Sequence, residues 1–205
     1  MDWKLTLQII GILLGLLYLY LEYKANIWLW VVGLIMPVVH GALYFRQGLY
    51  ADFTMELYYI LAGIYGLIVW KKTKTKAKSK DKRVSSSGIS RTPLAVWVAI
   101  AGVYMVLHAA IYTILVNFTD STVPFWDALT TALSVVAYWL LSRKFIEQWF
   151  VWLAVDIVCV GLYIHKDIPL TASLYALYSA LAIVGYLKWK RIMRAESEGD
   201  STFNC

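Results

Sequence analysis

Charged side chains are scarce in this sequence. Only 16% of its 205 residues are Asp, Glu, Lys or Arg, whereas 60% are hydrophobic. Soluble domains carry about 25% charged residues, and a soluble globule of this composition would have to expose much of its apolar excess to water. The scarcity of charge argues against a soluble enzyme and predicts a protein that lies in a lipid bilayer.

Cysteine and the usual catalytic signatures are scarce as well. The two cysteines, Cys159 and Cys205, form neither a disulfide framework nor a metal-binding cluster. The chain has no glycine-rich phosphate loop and no HExxH motif. Its last apolar segment contains no lysine before Lys188, which argues against a buried Schiff base to retinal. We therefore expect no metal and no cofactor.

Long apolar runs are what the sequence has instead. A helix needs about 20 predominantly apolar residues to cross a bilayer, and seven segments meet this requirement. No small-residue cleavage pattern follows the first of them, so we interpret it as a retained helix rather than a signal peptide. The predicted helices span residues 4–23, 26–45, 50–70, 94–117, 124–142, 147–165 and 169–189.

A basic segment separates the third and fourth predicted helices. The stretch from Lys71 to Arg91 is rich in Lys and Ser, and we interpret it as a flexible cytoplasmic loop rather than a nucleic-acid site. All but three of the 19 Lys and Arg residues (Lys4, Arg46 and Lys166) then lie on the cytoplasmic side. This bias predicts an N-terminus outside and a C-terminus in the cytoplasm, which suits a bacterial inner membrane.

Helices two and three are repeated in helices six and seven. A shift of 119 positions aligns residues 30–71 with residues 149–190 without a gap and gives 11 identities over 42 positions, among them Trp30 with Trp149. The same shift places helix one on helix five. Three crossings leave the chain on the opposite side of the membrane, so a linker helix is needed before a second, parallel triplet can begin. Parallel repeats of this kind are one of the known transporter plans.

The predicted fold is therefore all-α and integral to the membrane, with seven transmembrane helices in a 3+1+3 arrangement. Two parallel three-helix bundles are joined by one linker helix. The predicted parts are a first bundle over residues 1–70, a basic cytoplasmic loop over 71–93, a linker helix over 94–117, a second bundle over 118–190 and a polar tail over 191–205.

Helix six carries a candidate binding face. An ionisable residue inside a bilayer costs about 2.5–3.5 kcal/mol on insertion scales, which makes Asp156 a candidate for function. At the helical period, Trp149, Trp152, Asp156, Cys159 and Tyr163 fall on one stripe. Two indoles and a carboxylate can hold a flat organic cation. Two alternatives stay open: Trp149 as an interfacial residue, and Asp156 as a hydrogen-bonding link to a neighbouring helix.

Polar and aromatic stripes also run along helices two, three, five and seven, which indicates that these faces point inward. His40 could bind substrate or bond to another helix, and Asp127 could simply stabilise the positive end of helix five. The predicted substrate-binding residues are Trp149, Trp152, Asp156, Glu56, Tyr59, Trp30, His40, Ser134, Tyr175 and Tyr178.

Two other classes of membrane protein fit this pattern less well. A membrane-embedded enzyme that acts on a lipid would need Asp or His clustered at one surface, whereas the acidic residues here are dispersed along helices. A scaffold without transport activity would not need acidic and aromatic stripes on several inward faces. Internal duplication favours transport, because two similar bundles can rock about a site between them.

The stretch from Pro124 to Asp156, PFWDALTTALSVVAYWLLSRKFIEQWFVWLAVD, resembles the Pnu vitamin transporters, whose best-known branch is the nicotinamide riboside transporter PnuC. Weaker similarity runs through residues 21–70, including GLYADF. The resemblance implies a fold related to the SWEET sugar transporters and uptake of a vitamin by facilitated diffusion. It also implies a separate cytoplasmic kinase as a functional partner that traps the product, and Trp149 and Trp152 at the family's paired-tryptophan positions. The sequence leaves homo-oligomerisation open.

Two departures from the nicotinamide riboside branch concern the substrate. That branch carries Asn where this chain has Asp156, and Gln where it has Glu56. Amides suit the hydroxyls of a ribosyl group, whereas carboxylates suit a cationic ligand without ribose. On this resemblance the sequence favours thiamine, as in the thiamine-transporting relatives, with nicotinamide riboside as the alternative.

Overall fold

The computed structural model describes residues 3–47, 50–78, 87–167 and 169–201. These residues are almost entirely helical, and they contain no strand, only an isolated parallel bridge between Ser90 and Phe145. The helices are α1 (Trp3–Tyr23), α2 (Trp28–Gln47), α3 (Tyr50–Lys78), α4 (Leu94–Phe118), α5 (Pro124–Ser142), α6 (Gln148–His165) and α7 (Pro169–Ser201). The seven predicted helices are confirmed, most of their ends to within two residues.

Three helices of the described chain, α4, α5 and α6, are long and apolar enough to cross a membrane by length and composition alone. Shorter apolar stretches, Leu13–Tyr23 and Trp28–Val39, lie in α1 and α2. Helix α4 buries none of its residues, and its Val98 and Val106 are each 70% exposed. A helix that is apolar all round and yet unburied is suited to lipid rather than to water.

Two helices continue beyond the predicted membrane edges. Helix α3 runs on to Lys78, so the prediction of a loop from Lys71 onward is wrong for residues 71–78. Lys and Ala are good helix formers, and extending an existing helix is far easier than nucleating one. Helix α7 likewise continues into the predicted tail, as far as Ser201. Residues 79–86 of the predicted loop lie outside the described residues.

The chain forms two compact units, Met1–Gly88 with Ile192–Cys205, and Ile89–Arg191. In the first unit α2 packs against both α1 and α3. The extension of α7 that belongs to this unit is held by Glu196, which accepts hydrogen bonds from the Ser87 N–H and hydroxyl at 2.7 and 2.8 Å.

In the second unit α5 packs against both α4 and α6. Its core is formed by Val136, Ala137, Leu140, Phe145 and Val151, and the side chains packed around it include Trp97 and Trp152. The segment before α4 is fastened to the turn between α5 and α6. The Ser90 N–H donates to Lys144 O at 3.1 Å, and Ser90 O accepts from the Ile146 N–H at 3.0 Å. The Thr92 N–H and hydroxyl both donate to Glu147 Oε2, at 2.9 and 2.8 Å.

The turn between α1 and α2 has the same geometry as the turn between α5 and α6, at the offset of 119 residues. Ala25 and Lys144 both adopt a left-handed conformation, with φ of 49° and 57°. The backbone N–H groups of these two residues donate to Glu22 O and Leu141 O at 2.9 Å in each case. Each turn therefore ends its first helix in the same way before the next helix begins.

A tryptophan wedge also occurs once in each unit. Trp30 lies against Gly66 and meets Trp70 edge-on, with ring centroids 5.7 Å apart and planes at 83°. In the second unit the corresponding residues, Trp149, Gly185 and Trp189, repeat this contact with centroids 5.7 Å apart and planes at 90°. At either glycine a Cβ atom would overlap the indole, so these positions require glycine because of close approach.

Candidate functional site

One face of α6 is the core of the candidate site. Trp149, Asp156 and Cys159 are almost fully buried, at 3%, 5% and 7% exposure, and Trp152 is half-buried. The predicted stripe on this helix therefore does face inward. The Asp156 side chain makes no hydrogen bond and no ion pair among the described residues. A buried carboxylate without a charged partner is costly, so this position is suited to receive a positive charge.

Tyrosines from α7 lie within electrostatic range of this carboxylate, which acts on Tyr175 and on Tyr178. Tyr175 stacks on Tyr163 with ring centroids 5.2 Å apart and planes at 13°, and it meets Tyr178 edge-on at 5.8 Å. The structure thus brings three predicted site residues together, Asp156, Tyr175 and Tyr178, and adds Tyr163 from α6. The group combines aromatic faces with one carboxylate.

The two predicted tryptophans of α6 have different surroundings. The Trp149 indole packs against Gly185 and Trp189, so this residue contributes to the contact between α6 and α7. Trp152 packs against the core of the second unit. Its Nε1–H, like that of Trp149, is buried without an acceptor in the described part of the chain. Because the Trp149 ring already packs against Gly185, Trp152 is the better placed of the two to offer an indole to a ligand.

Ser134 lies on α5, half-buried. Its hydroxyl donates to the Thr130 carbonyl at 2.8 Å, so its proton is already used within the helix. The oxygen can still accept a hydrogen bond. Among the described residues no group of three or more His, Cys, Asp and Glu side chains could hold a metal ion.

The other predicted residues belong to the first unit. Trp30 is buried in the wedge described above. Glu56 is half-buried on α3 and interacts electrostatically with Tyr59, and its Cβ lies 3.5 Å from where a side chain on Gly41 would begin. Tyr59 also meets Tyr58 edge-on at 5.5 Å. His40 lies within α2, but its side chain is outside the described residues.

Gln148 is a buried polar residue that the sequence reasoning missed. Its side chain is fully buried, and neither Nε2 nor Oε1 has a hydrogen-bond partner in the described part of the chain. The signal that could have revealed it is its spacing, because Gln148, Trp152 and Asp156 are four residues apart along one helix and so share a face.

Asp127, at the start of α5, pairs with Lys166 at 3.1 Å and accepts a hydrogen bond from the Ser121 hydroxyl at 2.7 Å. Both charged side chains are about one-third exposed. This pair links α5 to the end of α6, and both of its charges lie within electrostatic range of Cys159 on the buried face of α6.

Comparison with known proteins identifies the family. The profile of the family described as nicotinamide mononucleotide transporters matches residues 5–191. This chain belongs to that family. The nicotinamide riboside transporter PnuC of Escherichia coli (strain K12) is 22% identical over 89% of this chain and 84% of its own. The riboflavin/roseoflavin transporter RibM of Streptomyces davaonensis is 27% identical over 93% of this chain and 87% of its own.

A solved structure supports the fold. The crystal structure of the vitamin B3 transporter PnuC superposes with a TM-score of 0.64 at 20% identity and covers 89% of this chain and 80% of that one. The predicted resemblance to the Pnu family and the predicted fold class are both confirmed. The chain is a membrane vitamin transporter of the nicotinamide mononucleotide transporter family. These relatives are named for nicotinamide riboside and for riboflavin.

Proposed function

We propose that this member of the nicotinamide mononucleotide transporter family imports nicotinamide riboside. The observation that carries the proposal is the buried Asp156 carboxylate, which has no ion-pair partner among the described residues and lies within electrostatic range of the tyrosines of α7. Nicotinamide riboside is a flat pyridinium cation, so Asp156 would supply the opposite charge. Aromatic side chains would add cation–π contacts, each worth about 0.5–2 kcal/mol.

The sugar-like part of the ligand separates the candidates further. Nicotinamide riboside and riboflavin each carry a hydroxylated five-carbon group, a ribosyl ring in the first and an open ribityl chain in the second, whereas thiamine has none. Relatives named for the first two therefore support a substrate with such a group. Riboflavin is uncharged and would leave Asp156 without a counter-charge, so the cationic riboside fits both features. Thiamine stays as a second candidate, because its thiazolium ring would also satisfy the carboxylate.

In this proposal Trp152, Asp156, Tyr175 and Tyr178 contact the ring, and Ser134 can accept a hydrogen bond. Trp149 is proposed to hold the scaffold by its packing against Gly185. Trp30, His40, Glu56 and Tyr59 belong to the first unit, and their role in binding stays a prediction from the sequence.

We further propose facilitated diffusion by alternating access in a bacterial inner membrane, with the N-terminus outside and the C-terminus in the cytoplasm. The excess of Lys and Arg in the segments assigned to the cytoplasm supports this orientation. The internal repeat supports rocking of two similar bundles. A cytoplasmic kinase would trap the product without needing to bind the transporter. Homo-oligomerisation stays open.

Binding of nicotinamide riboside and of thiamine to the purified protein tests the substrate, with isothermal titration calorimetry as the measurement. We expect saturable binding of the riboside, weakened at least about tenfold in Asp156→Asn, because a hydrogen-bonded charge contributes about 1.5–3 kcal/mol. Asp127→Asn is the matched control, since it removes the same charge from an exposed pair and should leave the affinity unchanged. Binding of thiamine alone would overturn the riboside proposal in favour of the second candidate.

Uptake into proteoliposomes tests the mechanism. A uniporter equilibrates the riboside across the membrane and does not accumulate it against a gradient. Accumulation that depends on a proton gradient would contradict facilitated diffusion, because it would require coupling to protons.

A further inference from the structure

We infer that Gln148 forms a subsite for the hydroxyl groups of the transported riboside, one helical turn from Trp152. This inference rests on the proposed function, because it assigns the sugar of the proposed substrate to a particular side chain. The inference rests on three observations: the Gln148 amide is buried without a hydrogen-bond partner in the described chain, it shares a face of α6 with the candidate site, and the equivalent residue of the first unit is a leucine.

The Gln148 amide is buried and unpaired. Its side chain is 0% exposed, and both the Nε2 donor and the Oε1 acceptor lack a partner in the described part of the chain. Buried polar groups are nearly always hydrogen-bonded, and each exception calls for a bound water or ligand. An amide offers donors and an acceptor side by side, and neighbouring hydroxyls of a sugar can use both.

The Gln148 amide lies on the same face of α6 as the candidate site residues Trp152 and Asp156. Gln148, Trp152 and Asp156 follow one another at intervals of four residues, so they lie on one face of α6. The line from Gln148 to Asp156 is about 12 Å long at 1.5 Å per residue. That span accommodates an aromatic ring together with an attached pentose. The Trp152 Nε1–H, also buried without an acceptor in the described chain, lies between the two ends.

The first unit shows that the fold itself does not need an amide here. The residue 119 positions before Gln148 is Leu29, which is likewise 0% exposed. The backbone contacts are the same, since Leu29 N donates to Asn26 O at 3.1 Å and Gln148 N donates to Phe145 O at 3.2 Å. A hydrocarbon side chain therefore fills this place in one half, and a polar one fills it in the other. The difference points to function rather than to packing.

The test is Gln148→Leu, which copies the residue of the first unit. The probes are nicotinamide riboside and 1-methylnicotinamide, which keeps the cationic ring and the carboxamide but lacks the sugar. We expect the variant to bind the riboside about tenfold more weakly, as for the loss of one or two hydrogen bonds, and to bind 1-methylnicotinamide as the wild type does. Leu29→Met is the matched control and should leave both affinities unchanged.

Thermal unfolding without ligand separates a binding role from a structural one. Replacing an unpaired buried amide by leucine removes its desolvation penalty, so the melting temperature should stay the same or rise. Equal riboside affinity in the variant and the wild type would overturn the inference, and a bound water would then be the partner of the amide. A lowered melting temperature with both ligands weakened equally would also overturn it. Failure of the wild type to bind the riboside would instead overturn the proposed function.

Discussion

The two halves of the molecule share a scaffold but differ in the polar residues that the scaffold presents. Both contain the left-handed turn and the tryptophan wedge, with matching hydrogen bonds and ring geometry. At the offset of 119 residues, however, Gly33 corresponds to Trp152 and Pro37 to Asp156. Helix α6 thus carries an indole and a carboxylate where helix α2 has a residue without a side chain and a helix-distorting proline.

We interpret this difference as a division between residues that hold the fold and residues that are proposed to recognise the substrate. Two pairs of positions that keep the same residue in both halves, Trp30 with Trp149 and Gly66 with Gly185, form helix packing contacts. Tyr59 and Tyr178 are also identical at this offset and are candidate binding residues. Positions that differ, such as Leu29 with Gln148, carry polar groups that packing does not explain.

The largest expected effect is the loss of stability when the tryptophan of either wedge is replaced by alanine. Trp30→Ala and Trp149→Ala should each lower the free energy of unfolding by about 3–5 kcal/mol, because each leaves a cavity the size of an indole in a packed interface. Thermal unfolding in detergent measures the loss. Trp152→Ala is the comparison, since its half-buried side chain should cost less stability while lowering riboside affinity. A large loss for Trp149→Ala with none for Trp30→Ala would break the equivalence of the two wedges.

The sequence predicted the fold more fully than the site. Runs of about 20 apolar residues and the bias of Lys and Arg depend on the bilayer itself, so the helices could be placed from composition alone. The ends of α3 and α7 were missed because helix formers such as Lys and Ala continue a helix into water, where hydropathy gives no signal.

For the site, helical periodicity placed Trp152 and Asp156 on an inward face but did not distinguish the packed Trp149 from the half-buried Trp152. That distinction depends on Gly185, which is distant in sequence and meets the indole only through tertiary packing. Gln148 was missed for a related reason, because an amide at the start of a helix ordinarily faces water.

A smaller loss of stability is expected when the glycine that contacts the tryptophan of each wedge is replaced. Gly66→Ala and Gly185→Ala should each cost about 1–3 kcal/mol of stability, because the added Cβ would overlap an indole and overpacking forces the neighbours to shift. Gly161→Ala on α6 is the control, since nothing lies within 4 Å of its Cβ position. It should stabilise the helix by about 0.5–1 kcal/mol. Equal effects in all three variants would mean that close approach does not decide the requirement for glycine.

The smallest expected effect is the coupling energy of the ion pair between Asp127 and Lys166, which has no charged counterpart in the sequence of the first half. Asp127 and Lys166 pair at 3.1 Å, whereas the corresponding positions of the first half, Gln8 and Gln47, carry no charge. A double-mutant cycle with Asp127→Asn and Lys166→Gln should give a coupling energy below about 1 kcal/mol, because both side chains are partly exposed and water weakens their attraction. Added salt should reduce the coupling further, since it screens exposed charges. A coupling of several kcal/mol that salt leaves unchanged would place the pair among the structural contacts of the second half. Two glutamines cannot form an ion pair, so the sequence of the first half indicates that the fold does not require one at these positions.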